Sequence, residues 1–288
     1  MRCSMKIQYK KEAFIKELPS GFINPASSEK FLRSSFSGSK NTLIREAACL
    51  GMRCDFGFMT GEYFTGQKEP TKSDVSGFGF QIWQQLEYSN QATGWIRLPQ
   101  FFRRSTTAFI DMEEQGTEYW LHWSQHARRY RKKWLSQKVL MVEVVTKEEF
   151  EEAYRKSTLK VSLRELFRKS IHRHSDVYGS DVSFFVVKEK ATQEILAGLM
   201  AVDDLDANRT FHPVAFIVPA AKKTEASLGL MNYWIQETRK KGIRFLDLGI
   251  VWMPGDPPSW KGYSQFKMHF HPKLIRYPAP RIRFFWNR

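Results

Sequence analysis

The residues 243–277, IRFLDLGIVWMPGDPPSWKGYSQFKMHFHPKLIRY, hold the side chains with the most to offer chemically. Apolar Phe245, Leu246 and Leu248 read as a buried strand that ends on Asp247 and Gly249. A Pro/Gly loop from Met253 to Pro258 follows, then an aromatic and basic segment carrying Trp260, Lys261, Tyr263, Phe266 and Lys267. Beyond Asp256 the sequence has no carboxylate, while Lys261, Lys267, Lys273, Arg276, Arg281, Arg283 and Arg288 are all cationic. A strand ending in Asp and Gly, a loop, and a helix start carrying lysine can hold an anionic ligand. The same pattern fits a strand–loop–helix with a solvated basic face, and spacing alone does not separate the two.

Composition bounds the partners. With 288 residues, 42% hydrophobic and 26% charged, the chain can bury a sizeable core as one large domain or two small ones. Its net charge of +15 favours an anionic partner: RNA, a nucleotide-linked substrate or an acidic membrane surface. Cys3, Cys49 and Cys54 are too few for a disulfide framework and fit a reducing cytoplasm. Cys49 and Cys54 have no His or Cys at ligand spacing and read as structural. No signal peptide or membrane-spanning run is evident, so the expected location is cytoplasmic, or peripheral at the inner face of the membrane.

The elements that must position these residues follow in order. Ser34–Ser39 is loop chemistry, and 41–50 is expected to form a short helix stopped by Gly51. Residues 55–100, rich in Gly and aromatics, are expected to form short strands. In 117–136, Trp120, Trp123, Ala127, Tyr130 and Trp134 recur at helical steps as a core stripe. The other faces carry Arg128, Arg129 and Lys132, with no acidic residue from His122 to Lys138, which suits phosphate contact. His122 and His126 stand four apart but lack an HExxH context, and no metal is expected. Thr146 and Glu149 form a capping box opening a helix to about 156, and a second helix spans 162–178. Strands are predicted at 139–145, 182–188, 195–202, 211–218 and 243–249, with a helix over 227–241 closed by Gly242. The acidic run Asp203, Asp204, Asp206 lacks the Gly and Glu of a calcium loop and reads as a solvated hairpin turn. The fold class is mixed α/β (α+β), a mixed sheet flanked by helices.

This order of elements resembles the GNAT acyltransferase superfamily, and within it the FemAB-type peptidoglycan bridge aminoacyltransferases. The resemblance rests on the basic helix Trp123–Lys133, the capped helix Thr146–Tyr154, the strand Ile195–Ala201, and Phe245-Leu-Asp-Leu-Gly249 followed by Gly262-Tyr-Ser-Gln-Phe-Lys267 and Pro272. It covers roughly residues 105–280. It implies two GNAT-like halves, here a reduced N-terminal half over 1–160 and an acyltransferase half over 161–288. It implies amide formation on an amine acceptor such as a nucleotide- or lipid-linked cell-wall precursor, with aminoacyl-tRNA as donor and no tightly bound cofactor. Lys267 matches the family's Phe-Lys position and would stabilise the oxyanion, with Asp247 orienting the amine and Tyr263 donating to the carbonyl. Arg128, Arg129, Lys132, Lys222, Lys223 and Lys261 would meet phosphates. The turn from Val218 to Gly229 lacks the glycine pattern that cradles coenzyme A pyrophosphate, so acyl-CoA use is disfavoured. Two alternatives stay open: an N-acyltransferase using acyl-CoA or acyl-carrier protein on a small amine, and an inactive domain binding RNA or an anionic surface. The basic and aromatic segment Arg281–Arg288 is expected to touch an anionic membrane or to pack on the domain.

Overall fold

A computed structural model describes residues 14–15, 18–36, 40–86, 93–98, 106–254, 256 and 258–287, without the side chains of Lys222, Lys223 and Ser259. Cys3, the Ser/Gly residues 37–39 and Arg288 lie outside the described residues. In chain order, the elements of the first third are α1 (Glu29–Ser35), β1 (Asn41–Glu46), β2 (Cys49–Asp55), β3 (Thr60–Gly66), β4 (Gly77–Gln85) and β5 (Ile96–Arg97). Next come β6 (Thr106–Asp111), α2 (Gln125–Ser136), β7 (Leu140–Val145), α3 (Lys147–Arg155), α4 (Val161–Tyr178), β8 (Val182–Glu189) and β9 (Ile195–Asp204). The last are β10 (Arg209–Ile217), α5 (Ala226–Lys240), β11 (Phe245–Ile250), α6 (Lys261–Met268), β12 (Lys273–Arg276) and β13 (Arg281–Asn287).

These strands form two mixed sheets, a six-stranded one ordered β1-β2-β3-β4-β13-β5 and a seven-stranded one ordered β12-β6-β11-β10-β9-β8-β7. The first five strands belong to the first sheet and β6 to β12 to the second, and the C-terminal strand returns to the first sheet. The segment from Arg281 is thus neither a free tail nor a surface arm: β13 pairs antiparallel with β4 from Arg281 opposite Trp83 to Asn287 opposite Gly77.

Strict alternation builds the larger sheet. Phe185, Val187, Ala197, Leu199 and Ala201 face α2 and α5, in one core with Ala127, Trp134, Leu230 and Trp234. Phe184, Val186, Leu196, Met200 and Val202 face the other way, against Phe150 and Tyr154 of α3 and Ile171 and Tyr178 of α4. Period-2 side-chain placement gives both faces an apolar layer, as a sheet covered on both sides requires.

Several expectations change. Residues 41–50 are a hairpin, not a helix: β1 pairs with β2 from Asn41 opposite Cys54 to Glu46 opposite Cys49. Gly51 is no helix stop; it sits in β2 where a Cβ would fall 2.5 Å from the Phe64 ring, so strand pairing overrides local helix preference. The basic helix starts at Gln125, after a separate turn over Tyr119–His122, because Ser124 caps it by accepting from the Ala127 amide at 3.2 Å. His122 and His126 are thus not on one helix face. The acidic run is not a solvated turn: Asp204 is fully buried against Arg209, Asp203 accepts from Lys241 at 2.6 Å, and of the three only Asp206 is largely exposed. Thr146 caps α3 as expected, but the Glu149 carboxylate pairs with Lys188 at 2.7 Å instead of reaching back.

The α2–α5 contact is set by a missing side chain. A Cβ on Gly229 would lie 2.5 Å from the Trp134 indole, so Gly229 is a packing residue. Gly229→Val is expected to lower stability by about 1–3 kcal/mol through overpacking, read as a lower urea midpoint at unchanged slope. An unchanged midpoint would show that the two helices slide apart freely.

Candidate active site

The site begins where two neighbouring strands part. β10 and β11 run parallel for three pairs, Arg209–Phe245, Thr210–Leu246 and Phe211–Asp247. The next residues of β10 are His212 and Pro213, and proline has no N–H for the ladder. On β11, the Asp247 carboxylate takes the Gly249 amide at 2.6 Å, and Gly249 turns with φ +70°. Both strands therefore leave the ladder at one level. The gap opens into a cavity of about 600 Å³ between the sheets, lined on one side by Phe211, His212, Asp247, Gly249 and Ile250.

Helix α6 serves two sides of this gap through its 3.6-residue period. Tyr263 and Lys267 point to the parted strands. The Lys267 ammonium donates to the Ile250 carbonyl at 2.7 Å and lies 4.3 Å from the Tyr263 ring centre, while Tyr263 hydrogen-bonds His212 Nε2 through its hydroxyl. Gly262, Gln265, Phe266 and His269 face the other way, into a pocket of about 320 Å³ shared with His126 and Tyr130 of α2 and with Thr224 to Leu228 at the start of α5. The loop before α6 is fixed by Asp256, whose carboxylate accepts from the Met253 amide at 2.7 Å, and by Ser264, which accepts from the Trp252 amide at 2.6 Å.

Burial sets the protonation states. It lowers Lys267 to about 7, with Asp247 pulling the other way. Burial first, then the Lys267 charge, lowers His212 to about 3, so its imidazole is neutral. Burial raises Asp247, opposed by Arg209, the Gly249 amide and Lys267. Behind Asp247, the Arg209 guanidinium is 1% exposed and sits 5.2 Å from both the Phe31 and Phe211 ring centres. It donates to Asp204 at 2.8 Å and stands 3.9 Å from the Asp247 carboxylate.

The expected residues Lys267, Asp247 and Tyr263 thus come together. Arg128, Arg129 and Lys132 do not join them; they project from the exposed face of α2, and Lys261 stacks over Trp252 at 5.1 Å. Lys222 and Lys223 occupy the turn Pro219–Lys223 before α5, with side chains outside the described residues. Sequence reasoning missed His212, Arg209 and Arg173. A His-Pro pair interrupting an apolar strand was the signal for the first. Arg173, on α4, lines both the inner cavity and a second groove of about 580 Å³ with Ser35, Phe36, Tyr63 and Ile82. Its Nε is buried with no hydrogen-bond partner among the described residues.

No protein-family model matches the chain, and no curated protein matches its sequence. Solved structures do. FemX is similar at a TM-score of 0.65 and 9% identity, over 89% of this chain and 91% of that one. The C-terminal domain of a putative lysylphosphatidylglycerol synthetase from Agrobacterium fabrum is similar at a TM-score of 0.52 and 12% identity, over 85% and 84%. A tandem GNAT protein from the clavulanic acid biosynthesis pathway matches at 0.50 and 8%, over 87% and 85%. At these identities the likeness is one of fold, a GNAT-like fold shared with FemX and with the tandem GNAT protein.

The buried ion pair behind Asp247 gives a test. Asp204→Asn leaves Arg209 with only the more distant Asp247 carboxylate and should cost about 3–5 kcal/mol. Adding Arg209→Met should recover part of that loss in urea unfolding, since Asp247 then keeps only Lys267 as its counter-charge. A double variant no better than Asp204→Asn would show that the pair is not the cause.

Proposed function

We propose that the chain transfers an aminoacyl group from aminoacyl-tRNA to the amine of an anionic acceptor, forming an amide. The observation that carries this reading is Lys267, a lysine buried in the gap between two parted strands whose hydrogen-bond partner among the described residues is the Ile250 carbonyl. The acceptor occupies the inner cavity and the adjoining groove, with an anionic group, such as a phosphate of a nucleotide- or lipid-linked cell-wall precursor, against Arg173. The donor approaches from the α2 side. There the pocket lined by His126, Tyr130 and Gln265 lies beside the cationic face of Arg128, Arg129 and Lys132, which suits a polyanion. Gly229, the one glycine of residues 218–229, packs against Trp134, which favours a donor other than acyl-CoA.

In the proposed reaction the acceptor nitrogen attacks the ester carbonyl. A C–N bond forms, and the oxyanion is met by protonated Lys267, which exchanges the Ile250 carbonyl for the substrate oxygen. The ester C–O bond then breaks, and the proton that the amine loses passes to the departing tRNA 3′ or 2′ oxygen, which leaves as a hydroxyl. His212 stays neutral and holds the Tyr263 hydroxyl through Nε2. Asp247 balances Lys267 and is in turn held by Arg209.

A mass-shift assay tests this. UDP-linked muramyl peptide is offered with aminoacyl-tRNA in one arm and acyl-CoA in the other. Product in the tRNA arm is expected; product only in the acyl-CoA arm, or in neither, overturns the reading.

A buried lysine kept for chemistry should cost stability. Because its folded value lies below its ordinary one, the folded chain binds fewer protons between pH 7 and 10.5. Its penalty is full below pH 7 and is relieved as pH rises. Lys267→Met should therefore raise the melting temperature at neutral pH, with a gain that shrinks toward pH 10, while turnover falls by about 10²-fold or more. A pH-independent gain, or retained turnover, would remove Lys267 from this role.

A further inference from the structure

The groove beside Arg173 does not end in a wall. Phe80 and Ile82 line it from β4, and Phe78 continues the same face two residues earlier. The register of β13 puts Phe284 opposite Phe80 and Trp286 opposite Phe78, on that face too. Phe56 stacks on Phe80 at 6.5 Å, and Phe78 on Phe284 at 6.3 Å. Gly61 makes this possible, since a Cβ there would fall 2.7 Å from Phe80 and 2.9 Å from Phe56. The end of β2, the starts of β3 and β4 and the end of β13 all lie at one edge of the six-stranded sheet. That edge is crowded with open aromatics: Phe58 is 81% exposed, Trp286 72%, Phe284 57%, Phe56 51% and Phe78 40%.

We infer that this aromatic rim docks the chain on the interfacial layer of an anionic phospholipid membrane, so that the groove opens at headgroup level. Aromatic rings on a projecting edge are the side chains that settle at a bilayer interface. Phe58 stands on a turn whose Gly57 has φ +86°, a projecting tip rather than part of a flat face that a second copy would match. Among the described residues the acids of the rim are paired: Asp55 with Lys40 at 3.9 Å and Asp74 with Arg53 at 2.6 Å. The net charge of +15 supplies the long-range attraction, and the rings supply the insertion, the two signals that stable peripheral binding needs. Among the described residues no helix is long and apolar enough to cross a membrane, so contact would be made by this edge. The inference deepens the transfer reading by naming the surface from which the acceptor is met, but it stands on the rim itself.

Co-sedimentation with vesicles tests it. Wild-type chain and the Phe58→Ser/Trp286→Ser variant are mixed with vesicles of phosphatidylglycerol and phosphatidylcholine, and with phosphatidylcholine alone. The wild type should bind the anionic vesicles, and the variant should lose about 100-fold in affinity, from two large apolar side chains no longer inserted. Phe58→Ser alone, on the turn, should lose about tenfold and serves if the pair lowers the melting temperature. No vesicle binding, equal binding by the variants, or concentration-dependent dimerisation through the same residues overturns the inference. Transfer to a short water-soluble amine is measured alongside and should be unchanged in the variants. If transfer is absent in every form while vesicle binding follows the rim, the transfer reading falls and the membrane inference survives.

Discussion

Everything at the candidate site depends on a parallel ladder that stops after three pairs. Had β10 and β11 stayed paired to their ends, the sheet would be closed where the cavity now lies. Pro213 withdraws a donor from one strand, and Asp247 with Gly249 diverts an amide of the other to a side chain. The backbone groups freed in this way need partners, and one of them finds Lys267. The Ile250 carbonyl is thus both a consequence of the break and the anchor of the buried ammonium. The break also exposes the Asp247 carboxylate to the cavity, and a buried carboxylate must be answered by a charge.

That answer runs back through the core as Asp247, Arg209, Asp204 and Tyr178. Arg209 lies against both Phe31 of α1 and Phe211 of β10, so a residue from the N-terminal region helps fix the electrostatics of a strand in the larger sheet. The six-stranded sheet forms the opposite wall, and β13 ties it to the larger sheet through the short link after β12. The cavity is therefore not a dent in one domain. It is the space left where two sheets meet around one imperfect strand pair, which is where ligands gather in folds of this kind.

Much of the larger sheet was legible because both its faces are apolar and its strands alternate cleanly. The capped helices α3 and α5 could be read from Thr146 and Gly242 within a residue or two. Lys267, Asp247 and Tyr263 were legible because one short stretch carries them all. The rest was hidden for physical reasons. Residues 41–50 read locally as a helix, and only the pairing of β1 with β2 and of β2 with β3 makes them strands. The burial of Asp204 depends on Arg209, and a run of three acids looks like a solvated turn until that partner is placed. Arg173 is unremarkable on a basic helix and acquires meaning only where two cavities meet at its side chain. The rim is scattered over Phe56, Phe78 and Trp286, and only the return of β13 to β4 assembles it.

The central claim is that the parted strands hold Lys267 in a site that unseats its proton near neutrality. Reductive ¹³C-methylation of the chain, with the Lys267 resonance assigned by its loss in Lys267→Arg, lets this one group be titrated by NMR. The account predicts a midpoint near 7, well below those of exposed lysines on α2 such as Lys132. A midpoint near the ordinary value of about 10.4 would mean that Lys267 is solvated, and that the gap between β10 and β11 is not the reactive centre.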